Sequence, residues 1–245
     1  MKRYIAASIL STLILTACGG GGSSEESSAT SKSGTFNYDG IYVHPTNFSL
    51  MMVDSKRSDT NIIINDFDED TYGIILSESA KTINNTMITT GYYFVSLFDG
   101  SDINHLSDIE MKATFNNSSV TWKSPYSPAN DESDAVVYTM QKADDSLTLA
   151  EIVGTHTNPT DGSTWTINAD GSFIVNDSCT ISGNITRINS YFSVTNVEAT
   201  QCADPALNGT YNDGVLLTVP HDGQTYIVGT MLRNFSILGG FAPIN

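Results

Sequence analysis

The chain has 245 residues, and 27 acidic side chains against 11 basic ones give it a formal charge of −16. That balance repels phosphate backbones and anionic lipid surfaces, which excludes nucleic acid as a partner and any membrane contact made through charge. Hydrophobic residues make up 40% of the chain and charged ones only 16%, a composition that builds folded cores rather than a disordered polyanion.

Lys2 and Arg3 precede an apolar run from Tyr4 to Leu15, the length of an export signal and too short to span a bilayer. The run closes on Leu15-Thr16-Ala17-Cys18. This junction resembles the lipobox of bacterial lipoproteins. The resemblance implies cleavage of residues 1–17 and acylation of Cys18 on its thiol and new amino group, with palmitate-like chains. Each buried methylene is worth about 0.8 kcal/mol, so several chains make a durable membrane anchor. Gly19 stands where inner-membrane lipoproteins often carry Asp. By the same resemblance the destination is the outer membrane, on its periplasmic or its surface face. An ordinary signal cut after Ala17 is the competing reading. Against it stand the linker that follows Cys18 and the even number of cysteines left over. Cleavage removes two of the 11 basic residues, so 9 then face 27 acidic ones and the charge becomes −18.

Gly19 to Gly34 reads GGGGSSEESSATSKSG and cannot bury enough surface to offset its ordering entropy. Residues 18–34 are therefore a flexible tether, with a span of about 20–25 Å by the scaling of Gly-rich chains.

From residue 35 the pattern turns to short period-two runs between turn residues, the mark of antiparallel strands. The first half, 35–144, predicts strands around Phe36–Val43, Phe48–Val53, Asn61–Ile64 and Tyr72–Leu76. Further strands are predicted at Thr82–Thr89, Gly91–Phe98, Ile109–Phe115, Ser119–Trp122 and Ala135–Gln141. Asp66–Asp70 reads as an acidic turn and Asn116-Asn117 as a tight hairpin, since Asn tolerates positive φ. Asp144-Asp145 could cap a short helix over Ser146–Ile152, with an extended segment as the alternative. In the second half, 145–245, Ser163–Ile167 and Ser172–Val175 flank Asn168-Ala169-Asp170-Gly171, a strong hairpin signal. Thr180–Ile188 and Tyr191–Ala199 pair across Asn189-Ser190. Gly209–Val219, Gln224–Leu232 and Phe235–Leu238 complete the set, with His221-Asp222-Gly223 as a turn. The fold class is all-β and antiparallel, two small β-barrel or β-sandwich modules after the tether. Gly34-Thr35-Phe36-Asn37 and Gly209-Thr210-Tyr211-Asn212 are alike, which leaves open a diverged duplication.

Cys179 and Cys202 form an even pair in an oxidising compartment, which predicts a disulfide across the open end of the hairpin they flank. It closes a loop of about 24 residues and is worth about 3 kcal/mol. Two free thiols or a metal pair is the alternative, without further soft ligands in a recognisable spacing.

Asp66, Asp68 and Asp70 alternate as the opening of a calcium loop would, but Thr71 and Ser77 stand where such a loop wants Gly and Glu. His44, His105, His156 and His221 are isolated in sequence and match no metal motif. No metal site and no cofactor is predicted. Nucleophile motifs are missing, and 27 acids could supply a carboxylate pair by accident. Trp122 and Trp165 could form a ligand platform, although aromatics in β-proteins more often fill cores.

The run Thr164–Phe173, followed by Cys179 and Gly183, resembles uncharacterised lipoproteins of Gram-negative bacteria. These pair a Trp-containing strand, an Asp-Gly turn and a Cys-x-x-x-Gly strand. The resemblance implies a barrel-like module and no activity. The functional expectation is a non-enzymatic, lipid-anchored envelope lipoprotein that binds an envelope protein, glycan or small ligand. A hydrolase of envelope polysaccharide or peptide and a structural envelope-assembly factor are the alternatives.

Overall fold

The computed structural model describes residues 36–58, 60–67, 71–97, 102–124, 136–234 and 236–244, without the side chains of 71, 95–97 and 102–106. The lipobox, Cys18, the tether, Asp68 and Asp70 lie outside the described residues. The body is all-β and antiparallel, and it contains two sheets.

The first sheet is a closed barrel in chain order: β1 (Gly40–Val43), β2 (Phe48–Val53), β3 (Ile62–Phe67), β4 (Thr71–Ile83), β5 (Thr86–Leu97), β6 (Asp102–Phe115), β7 (Ser119–Ser124) and β8 (Val136–Lys142). It closes where Tyr42 and Val43 of β1 pair with Lys142 and Gln141 of β8. The strand expected over Thr82–Thr89 is instead a hairpin end. Ile83 pairs with Thr86, and Asn84 turns the chain at φ 54°. Asn reaches this left-handed region at low cost, so the apolar residues around it belong to two strands. Asp66, expected in a turn, ends up inside β3, paired with Ser49 and Gly73.

The second sheet holds β9 (Gly154–Thr157), β10 (Thr164–Ile167), β11 (Ser172–Asn176), β12 (Thr180–Ile188), β13 (Tyr191–Thr200), β14 (Gly209–Tyr211), β15 (Asp213–His221), β16 (Gln224–Arg233) and β17 (Ser236–Pro243). Its order is β17-β16-β15-β13-β12-β11-β10-β9, with β14 added beside β13. The Asp170-Gly171 hairpin forms as expected. Gly171 adopts φ 83°, and a Cβ there would stand 2.7 Å from the Ile185 carbonyl. The run expected as one strand over Gly209–Val219 divides at Asn212, so its first residues pair with β13 alone. The helix is a single turn, α1 (Leu149–Ile152), capped by Thr148 and Glu151 rather than by Asp144-Asp145.

Burial explains the sequence pattern. Along β2 and β3 nearly every residue is buried, because these strands have two apolar faces. Met51, Val53, Ile62 and Ile64 fill the barrel with Trp122, Phe115 and three more methionines, Met87, Met111 and Met140. Leu50, Met52, Ile63 and Phe67 face outward onto Val215, Leu217, Val219 and Val228 of the second sheet. The inner face of that sheet has its own core around Trp165, Phe173, Phe192, Leu216 and Met231. Among the described residues there are therefore three cores, and the middle one is shared. At about 25 cal/mol per Å² of buried apolar area, a continuous run with both faces covered stabilises more per residue than an alternating strand.

A polar clasp closes one end of the shared core. Tyr191 donates to Asp54 at 2.9 Å, and Arg57 meets both Tyr191 and Asp213. Burial works against the Arg57 charge, but Tyr191 and Asp213 more than offset it and hold the guanidinium above its ordinary range. The connector between the sheets is tied down as well. Ser146 accepts from the Thr218 backbone, and Arg187 donates to the carbonyls of Ser146 and Leu147.

Candidate functional site

The second sheet stops short of closure. Its edge strands β17 and β9 approach each other but do not pair. A cleft of about 270 Å³ opens along this seam. One wall is Gly239, Gly240 and Phe241 of β17; the other comes from the β9–β10 and β11–β12 turns. Phe67 and Tyr72 of the barrel line the cleft too.

Glycines give the cleft its shape. A Cβ on Gly229 would stand 2.7 Å from the Trp165 ring, and one on Gly240 would stand 3.5 Å from it. A Cβ on Gly239 would overlap the Tyr72 hydroxyl. Small residues on β16 and β17 thus admit two large rings, and this is the meaning of Gly inside a strand. Phe67 stacks on Tyr72 with centroids 5.0 Å apart, and Phe241 meets Phe67 edge-on at 4.8 Å. Tyr72 donates to the Asn65 side chain at 2.8 Å, and Thr230 donates to the same oxygen at 2.9 Å. Burial pushes the Tyr72 hydroxyl above the ordinary tyrosine range, so it stays a donor.

The polar side is built by turns. Asp161 accepts from the Asn158 side chain at 2.9 Å and from the Ser163 backbone at 2.8 Å. Asn158 accepts from the Thr160 backbone, and Gly162 takes φ 78° to complete the bend. Ser163 lines the cleft at 5% exposure. No hydrogen bond among the described residues uses its hydroxyl. Asp177 precedes Cys179 by two residues, and its backbone donates to the Cys179 carbonyl at 2.9 Å. The disulfide joins Cys179 to Cys202 and so fixes the turn that carries Asp177.

The other residues singled out from sequence disperse. Asp66 accepts from Ser49 and, at 2.5 Å, from Tyr138. His44 accepts from backbone N–H groups in its own turn. His156 is buried against the Ile152 carbonyl at 2.9 Å. His221 stacks on Phe48 at 4.7 Å. His105 belongs to β6, with its side chain outside the described residues. Trp122 sits in the barrel core at 1% exposure; Trp165, at 4%, underlies the cleft instead of offering an open platform. Among the described residues no three His, Cys, Asp or Glu side chains gather into a metal-sized group.

Sequence reading missed Phe67, Tyr72, Gly239, Gly240 and Phe241. The paired glycines inside a strand were the available signal. Comparison with family models, curated proteins and solved structures finds no match for this chain.

Proposed function

We propose that the protein is a lipid-anchored envelope lipoprotein, attached at Cys18 to the outer membrane, whose β body binds a small ligand in the seam of its second sheet without transforming it. The observation that carries the binding role is the cleft itself: concave, walled by Phe67, Tyr72, Trp165 and Phe241, and carrying a few placed polar groups. That combination is the usual make-up of a small-ligand site. Both oxygens of Asp161 already serve the turn that holds them, which favours a positioning carboxylate over a base. The anchor rests on the lipobox and on the linker that follows it.

Native mass spectrometry of the protein extracted from its own membrane tests both parts. Acyl mass on Cys18 and a retained small molecule are expected. Gly240→Leu, which fills the cleft beside Trp165, should release that molecule while leaving the acyl mass in place. An unmodified Cys18 removes the anchor, and a ligand retained by Gly240→Leu removes the cleft.

A further inference from the structure

The geometry points to a ligand with an ammonium head, seated among the aromatic side chains of the seam and neutralised by Asp161 and Asp177. This rests on the cleft being the binding site and goes on to name the chemistry it selects. Three independent features converge.

The first is charge. Asp161 and Asp177 line the cleft, and no Lys, Arg or His is among the described residues that line it. An anion would have to leave water beside two carboxylates with no positive partner, which is costly. A cation gains from both acids, and the chain's formal charge of −16 draws cations toward every concave surface. The second is the lining. Phe67, Tyr72 and Phe241 form one contiguous ring cluster, and aromatic faces carry negative quadrupole potential that attracts ammonium groups. The third is Ser163. The residue is 5% exposed and lines the cleft, and no hydrogen bond among the described residues uses its hydroxyl. That hydroxyl is open to bond a polar atom of an occupant.

Size narrows the class. About 270 Å³ lies below the usual range of roughly 300–1,000 Å³ for drug-sized ligands. The cleft fits a head group of a few heavy atoms, not an oligosaccharide chain or a helix. Asp161 is fixed by its turn, so no ordering cost attends the contact with it.

The experiment is a titration of the full-length protein, followed by amide and Trp165 indole NMR, with choline and with its uncharged isostere 3,3-dimethylbutanol. Choline should bind roughly tenfold more tightly, a gap the size of one desolvated cation–aromatic contact. Asp177→Asn should shrink that gap several-fold, and added salt should shrink it too. Asp177 sits on an exposed turn, and unchanged spectra away from the cleft will show that the variant folds. Equal binding of both probes, with shifts confined to the cleft, overturns the ammonium head and leaves the binding site standing. A neutral sugar that displaces both does the same. If neither probe shifts any residue of the cleft, the inference and the binding role fall together.

Discussion

The barrel brings β8 back to β1 and leaves no edge, whereas the second sheet ends with β17 and β9 side by side and unpaired. The interiors differ accordingly. The barrel is filled by large aromatic rings and by four methionines, Met51, Met87, Met111 and Met140, each exposed by no more than 1%. Methionine adapts to irregular gaps, so the barrel packs shut. The second sheet relies on rigid devices: a disulfide, a Trp laid over glycines, and turns held by side-chain hydrogen bonds. The candidate site sits where closure fails. What an open sheet loses in edge pairing it recovers by leaning on its neighbour, because the shared core covers the outer faces of β15 and β16.

The most disruptive way to break this comparison is to hollow out each core in turn. Trp122→Ala in the barrel should cost about 3–5 kcal/mol and Leu217→Ala in the shared core about 2–5 kcal/mol. Hydrogen exchange should then show that Leu217→Ala loosens both sheets together. Loss of protection in one sheet alone would mean that the middle core does not couple them. Next in size is the Cys179→Ser, Cys202→Ser double variant. It should lower stability by about 3 kcal/mol in denaturant titrations and broaden the resonances around Asp177 ahead of those in the barrel. An unaltered midpoint would show that the turn holds without its covalent link. Smaller again is Gly229→Ala, whose methyl meets the Trp165 ring and should cost about 1–3 kcal/mol by overpacking. Its sharper readout is a displaced Trp165 indole resonance with the barrel signals in place.

The mildest test uses pH. Burial raises the hydroxyls of Tyr42, Tyr72, Tyr191 and Tyr211 above the ordinary value of 10.0. A group raised on folding contributes stability that is complete below its unfolded pKa, near 10, and is lost as pH climbs toward the folded value. Thermal midpoints should therefore hold steady below about pH 10 and fall above it. Tyr191→Phe should cost about 1 kcal/mol at neutral pH for its hydrogen bond to Asp54 and flatten the alkaline fall. An identical alkaline slope in that variant would assign the effect to the other tyrosines.

Hairpins were the most legible part of the sequence, because a turn is a local event. Asp170-Gly171, Asn189-Ser190 and Asn116-Asn117 each state their own conformation. The disulfide was legible for a similar reason, since the two cysteines flank one hairpin. Asn84-Asn85 carried the same signal but lay hidden inside apolar residues that read as one strand. Barrel closure was not legible, because it depends on Val43 finding Gln141 across the whole first half. Nor was the third core. The unbroken apolar run from Leu50 to Val53 declared a strand without saying that its two faces serve different interiors. The cleft was least visible of all. It draws on Phe67, Asp161, Asp177 and Gly240, which meet only through the packing of one sheet on another.

The amino-terminal end of the body enters beside the Asn84 hairpin, where Phe36 packs against Phe115 at 5.3 Å. Tyr72 and Ile83 lie near opposite ends of β4, eleven residues and roughly 36 Å apart at strand spacing. One continuous strand, β4, therefore runs from the point where the chain enters the body to the aromatic cleft at its far end.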